Sequence, residues 1–132
     1  MGERVRGMYQ LGVRRRFRAR HFLLNAGGGP ESQVHAHDYM AQIALEGPRL
    51  QESGYLVDII QVEDILDGFV ARYRDQVLNE LPEFKDLNPS IEHFARILCT
   101  NFSDALTGDN LCRIVVQIWE NDDEWSSYSL DR

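Results

Sequence analysis

Cysteine is scarce in these 132 residues, and the two present, Cys99 and Cys112, stand far apart in apolar-periodic segments. That argues against a disulfide framework and fits a pair of buried free thiols. Long apolar runs are missing too. None approaches the roughly 20 residues that a membrane-spanning helix needs, so no membrane partner is expected. The arginine-rich start has neither the apolar core nor the small-residue cleavage site of a secretory signal, which makes the cytosol the default compartment. No internal repeat or low-complexity stretch is apparent. The glycine run within Asn25-Ala26-Gly27-Gly28-Gly29-Pro30 lacks the spacing of a phosphate-binding fingerprint and reads as a flexible connection.

Charge is present but segregated. The formal net charge is −7, yet residues 1–20 carry seven arginines against Glu3, a local +6, which leaves −13 on the rest of the chain. An acidic remainder argues against nucleic acid as the main partner. The basic start is therefore to be read locally, as a solvated face, an inter-subunit face or an anion site. A content of 43% hydrophobic and 27% charged residues is ordinary for a globular protein, and the length suits one domain over residues 1–132.

From Met8 to Leu23 the chain alternates. Val13, Phe17, Ala19 and His21 occupy odd positions, and Arg14, Arg16, Arg18 and Arg20 even ones. Side chains at i and i+2 of a strand share a face, so this pattern predicts a strand with one buried face and a comb of arginines on the other. His21 ends the buried face. A second alternating run starts at Val34-His35-Ala36-His37-Asp38-Tyr39 and continues through Ile43 and Leu45, until Gly47-Pro48 breaks it. His35 and His37 share a side and can converge on one atom, although two ordinary strand histidines would give the same pattern.

A short extended stretch is expected around Tyr55-Leu56-Val57-Asp58. Val62, Ile65, Leu66, Phe69, Val70 and Tyr73 then recur at helical spacing, predicting an amphipathic helix of about four turns. After a loop through Leu81-Pro82-Glu83-Phe84-Lys85-Asp86, Asn88 is the expected cap of a second helix, with Pro89 at its first position and Gly108 placed to end it. Its stripe is Ile91, Phe94, Ala95, Leu98, Phe102, Ala105 and Leu106, with Glu92 off the stripe in the first turn. Cys112, Ile114, Val116 and Ile118 alternate in a third strand, with Glu120 on the same apolar side. Trp125 to Leu130 makes a fourth. The predicted order is strand, strand, helix, helix, strand, strand.

Three histidines on one face, with no carboxylate in an obvious ligand position, form an open catalytic-type zinc site from His21, His35 and His37. Such a metal acts as a Lewis acid on a carbonyl or hydroxyl oxygen, or lowers the pKa of bound water. Glu31, in the loop before the pair, is a candidate general base, and equally an ordinary solvated carboxylate. Glu120 can present two oxygens to adjacent N–H donors of a flat heterocycle, or pair with the arginine comb.

These residues also carry a resemblance. His21, His35-Ala36-His37-Asp38-Tyr39, Leu78-Asn79-Glu80-Leu81-Pro82, Leu87-Asn88-Pro89-Ser90-Ile91-Glu92 and Trp119-Glu120 together resemble the 6-pyruvoyl-tetrahydropterin and 6-carboxy-tetrahydropterin synthase family over nearly the whole chain. The resemblance implies an α+β tunnelling fold: a four-stranded antiparallel sheet with two helices on one side, in homo-oligomers, either trimers that close a barrel or hexamers. It implies Zn2+ on His21, His35 and His37, a small-molecule pterin anchored by Glu120, and support of the pocket from Ser90 and Glu92.

Two positions depart from the family pattern. Glu31 stands where a loop cysteine is usual, which resembles the third-type synthases that cleave the dihydroneopterin side chain to 6-hydroxymethyl-7,8-dihydropterin. Arg74-Asp75 stands where an Asp-His pair is usual; a one-residue gap instead aligns Asp75 with the aspartate and Gln76 with the histidine. Either way the family's histidine is missing, which removes the expected proton-transfer partner and leaves Asp75 as a catalytic candidate without a defined role.

Overall fold

The computed structural model describes residues 7–24 and 27–132. Glu3, Arg4 and Arg6 of the basic start, and Asn25 and Ala26 of the glycine-rich connection, lie outside them. Alternation becomes two long strands, β1 over Tyr9–His21 and β2 over His35–Gly47, paired antiparallel along their whole length from Tyr9 opposite Gly47 to His21 opposite His35. Two shorter strands complete an antiparallel sheet in the order β1-β2-β3-β4: β3 over Arg113–Trp119 and β4 over Trp125–Asp131. The odd residues Val13, Phe17, Ala19 and His21 are buried, and Arg14, Arg16, Arg18 and Arg20 are exposed, as the parity predicts.

Two helices cover the buried face. The first, α1, spans Ile59–Tyr73, and Asp58 caps it by accepting a hydrogen bond from the Ile60 amide. Its stripe of Val62, Leu66, Val70 and Tyr73 is buried. The second, α2, spans Ile91–Ala105 and buries Phe94, Leu98 and Phe102 among others. Phe94 sits at the centre of an aromatic cluster, with ring centroids 6.0 Å from Phe17, 5.5 Å from Tyr39 and Phe84, and 5.0 Å from Tyr73. Large rings buried edge to face add to area burial about 0.5–1.5 kcal/mol per pair, so this cluster is a stiff floor under the histidine end of the sheet.

Several local expectations are corrected. Residues 55–58 lie outside any strand or helix, with Leu56 and Val57 plugged into the core, while the Asn110 amide bonds the carbonyls of Arg49 and Leu56. Gly47 passes so close to the Asn110 backbone that no side chain would fit there. Ser90, not Asn88, caps α2, and Asn88 instead accepts from the Leu24 amide. With the cap moved on, Pro89 is outside the helix. Helix α2 stops at Ala105 with Leu106 as its C-cap, so Gly108 at φ +148° lies beyond the end and makes the next turn. The segment 78–84 is two 3-10 turns, Leu78–Glu80 and Pro82–Phe84. Both cysteines are free, but Cys112 is only half-buried because it precedes β3.

One feature of the register positions the site. β2 pairs with β3 only from Met40 opposite Trp119 to Glu46 opposite Arg113. The β1–β2 ribbon therefore overhangs the rest of the sheet, and His35 to Tyr39 has no strand on its β3 side.

Candidate functional site

His21 is the last residue of β1, His35 the first of β2, and they face each other across the ladder; His37 lies opposite Ala19. One ligand atom from each of the three rings lies within 4.8 Å of the others. The pairing of β1 with β2 thus brings together the three side chains that share a face by parity. His21 is 1% exposed, and burial, with the neighbouring His37 and His35, pulls its pKa down to about 4. Neutral imidazole is the form that binds a metal.

The tautomers follow from the partners. The Nδ1 of His21 is 3.1 Å from the Pro89 carbonyl, and the Nδ1 of His35 is 2.7 Å from the Gln33 carbonyl. A carbonyl only accepts, so both protons sit on Nδ1, and each Nε2 presents a lone pair. Those two Nε2 atoms are 3.0 Å apart. Facing lone pairs at that distance repel unless a cation lies between them. Two nitrogens held about 2.0–2.1 Å from one tetrahedral zinc are about 3.3 Å apart, so the donor set fits such an ion with little movement.

Glu31 lies in a 3-10 turn, Pro30–Ser32, and its carboxylate reaches 3.4 Å from His35 Nε2 while remaining largely exposed. The turn is fixed from below: the Leu23 amide donates to the Glu31 carbonyl at 2.7 Å, and Ser32 Oγ donates to the Gly29 carbonyl at 2.7 Å. Glu120 follows β3 directly and lines, with His37, Arg16, Arg18, Asp38 and Asp122, an open depression of about 710 Å³ beside the overhanging ribbon. Burial raises its pKa against the opposing pull of His37, and Glu124, Glu31 and Glu92 push it further up.

The other expected residues are placed differently. Ser90 spends its hydroxyl on the α2 cap, accepting from the His93 amide at 3.2 Å. Glu92 is exposed and acts on Glu120 through charge. Asp75 is exposed at φ +61°, its amide donating to the Arg18 carbonyl at 2.7 Å and its carbonyl accepting from Arg20 Nη2 at 3.1 Å. It is tied to the free edge of β1, and among the described residues no hydrogen bond or ion pair joins it to the histidines.

The groups that orient the triad lie outside the histidine pattern itself. Tyr39 places its hydroxyl 3.1 Å from His21 Nδ1, and burial keeps its proton on by raising its pKa. Its shared parity with His35 and His37 was the available signal. Asn79 bonds both backbone groups of Phe22, accepting from the amide and donating to the carbonyl at 2.9 Å each. It thereby acts as one residue of an additional strand just past His21. The Pro89 and Gln33 carbonyls leave no sequence signal, because any residue carries a carbonyl.

A family model described as 6-pyruvoyl tetrahydropterin synthase matches residues 10–131. A putative 6-carboxy-5,6,7,8-tetrahydropterin synthase of Archaeoglobus fulgidus is 25% identical over 116 residues, covering 88% of this chain and 91% of its own length. The 6-carboxy-5,6,7,8-tetrahydropterin synthase of Bacillus subtilis is 28% identical over 101 residues, covering 71% of this chain and 67% of its own. Among solved structures, 6-pyruvoyl tetrahydropterin synthase of Plasmodium vivax superposes with a TM-score of 0.78 at 14% identity, over 96% of this chain and 99% of that one. The Caenorhabditis elegans protein of the same description gives 0.78 at 18% identity, over 92% and 95%.

Proposed function

The chain belongs to the 6-pyruvoyl tetrahydropterin synthase family, and from that premise we propose that it is a zinc-dependent lyase. It cleaves the side chain of dihydroneopterin, or of its triphosphate, to 6-hydroxymethyl-7,8-dihydropterin. The observation that carries this reading is Glu31, a carboxylate 3.4 Å from a metal-ligand nitrogen in the loop where the resemblance expects a cysteine. A catalytic glutamate is also the residue replaced in two variant structures of the Plasmodium vivax protein, where it gives way to cysteine or alanine.

His21, His35 and His37 would hold the ion, which when bound would polarise a side-chain hydroxyl. Glu120 accepts from two adjacent ring N–H groups and fixes the pterin. Glu31 takes the proton from the hydroxyl on the second side-chain carbon. The bond between the first and second carbons breaks, its electron pair moves into the ring imine, and the second carbon leaves as an aldehyde. The proton then returns to the first carbon, which keeps its own hydroxyl. Glu31 sits at the open side of the triad, where it can serve both steps. Asp75 has its backbone committed to the edge of β1 at Arg18 and Arg20, and this mechanism gives it no proton to move.

Two other readings have observations behind them. The curated relatives named 6-carboxy-tetrahydropterin synthases favour that reaction with rearranged groups. The placement of Asp75 away from the triad favours a homologue that binds zinc and pterin without turnover. Incubating the zinc-loaded protein with dihydroneopterin and with its triphosphate, and identifying products by mass, separates the three. A hydroxymethyl product abolished by Glu31→Ala supports the lyase. A carboxy or pyruvoyl product replaces it, and tight pterin binding with no product removes the enzyme altogether.

A further inference from the structure

The arginines of β1 are treated unequally. Arg15 points to the helices and is met by two carboxylates, Glu63 at 2.7 Å and Asp67 at 2.8 Å. Arg14, Arg16 and Arg18 point the other way. Among the described residues the only carboxylate within 4.0 Å of any of them is Asp38, at that limit from Arg18. Three guanidiniums in a row, with about 6.6 Å between alternate strand residues, repel one another unless something between them is negative.

The row also borders two open depressions. Arg16 and Arg18 line the depression of about 710 Å³, and Arg14 and Arg16 line an adjoining one of about 200 Å³. We propose that the row Arg14, Arg16 and Arg18 is a binding site for a multivalent oxyanion of the phosphate class. Guanidinium forks bind tetrahedral oxyanions through paired N–H groups, and a chain of phosphates reaches two forks where a monovalent ion reaches one. The oxyanion comes either as a free ion or as the phosphate tail of a substrate that extends from Glu120 and His37 in the same depression. The second source rests on the function proposed above; the site itself does not.

The test is calorimetric titration of the purified protein with tripolyphosphate and with orthophosphate at constant ionic strength, with metal content measured before and after. Saturable binding of tripolyphosphate, tighter than that of orthophosphate, is expected. The double variant Arg14→Gln/Arg16→Gln should weaken it by about tenfold or more, whereas Arg49→Gln, an arginine outside β1, should leave it intact. Metal extraction by tripolyphosphate would give heat in the double variant as well, because the three histidines remain, and heat unchanged there overturns the site. So does an equal loss in Arg49→Gln, which means diffuse charge only. A double variant that alters the mass of the chain in solution, with no tripolyphosphate bound by the parent, also overturns it, because carboxylates of a second copy then neutralise the row.

Competition identifies the source. Tripolyphosphate that displaces dihydroneopterin triphosphate but not dihydroneopterin assigns the site to the substrate tail; displacement of neither assigns it to a separate ion. If no pterin binds at all, the function proposed above fails while the tripolyphosphate titration still reads the site.

Discussion

The same four strands present two faces that handle charge in opposite ways. On the helix-covered face, charge is answered from within the chain: Glu63 and Asp67 meet Arg15, and Arg72 meets Glu83 across two contacts of 2.6 Å. On the open face the arginine row has Asp38 at 4.0 Å from Arg18 as its nearest ion pair among the described residues. The histidines sit where the two regimes meet, at the end of the covered face where the β1–β2 ribbon runs past β3. Burial keeps His21 neutral, and the open edge gives a ligand access. A site of this kind needs both conditions, and the overhang supplies them at one place.

The strongest way to break the comparison is to move charge across the sheet. Ala41 and Gln42 are neighbours on opposite faces, and Ala41 is fully buried. Ala41→Arg should cost more than about 5 kcal/mol and abolish a cooperative urea transition, whereas Gln42→Arg should change stability by less than about 0.5 kcal/mol. Similar losses from both would mean that the faces are not distinct.

Next in size is the metal. His37 and Asp38 are likewise adjacent and opposed. His37→Ala should lower zinc after dialysis from about one per chain to near zero, and Asp38→Ala should leave it unchanged, both read by elemental analysis. An unaltered zinc content in His37→Ala would remove the triad as the ligand set.

The covered-face ion pair gives a smaller effect with a pH signature. The hydrogen bonds from Arg72 hold the Glu83 carboxyl at about 2, against an ordinary 4.5, with help from the Tyr73 hydroxyl at 3.0 Å. A depressed folded-state pKa stabilises above the unfolded value and loses that contribution as pH falls from about 4.5 towards 2. Glu83→Gln should therefore cost about 1–2 kcal/mol at pH 7, and the gap to the parent should close over that window in urea titrations. A gap independent of pH would assign the loss to packing.

Smallest is the contrast within the arginines. Arg15→Gln should destabilise by about 0.5–1 kcal/mol, while Arg14→Gln, which relieves repulsion, should leave the melting temperature level or slightly higher.

What could be read from the sequence follows the same division. Alternation is local, so β1, β2, the buried position of His21 and the exposed comb were all visible in the order of residues. The helices were visible through their stripes. The cap of α2 was not, because Asn88 and Ser90 are both good caps, and the choice depended on Leu24, which takes the Asn88 side chain from 64 residues away. Asn79 was hidden for the same reason: its two bonds to Phe22 span 57 residues. Gly108 resembled a helix stop because glycine also serves ordinary turns. Asp75 was placed by resemblance alone, because the bonds that commit its backbone to the edge of β1 reach Arg18 and Arg20, far away in sequence.

The strict alternation of β1 also limits how this chain can drift over generations. Substitution on the outer face is cheap, since those side chains contact little. Inserting or deleting a single residue just before Arg14 is another matter. Every later side chain of the strand would change sides, sending four guanidiniums into the aromatic floor and turning His21 out to solvent. The cost would exceed the whole stability of an ordinary domain, about 5–15 kcal/mol. Changes of two residues keep the alternation and escape that penalty. Lineages carrying this protein should therefore hold the length of the comb in even steps, so that the histidine and the arginines beside it keep their opposite faces as one block.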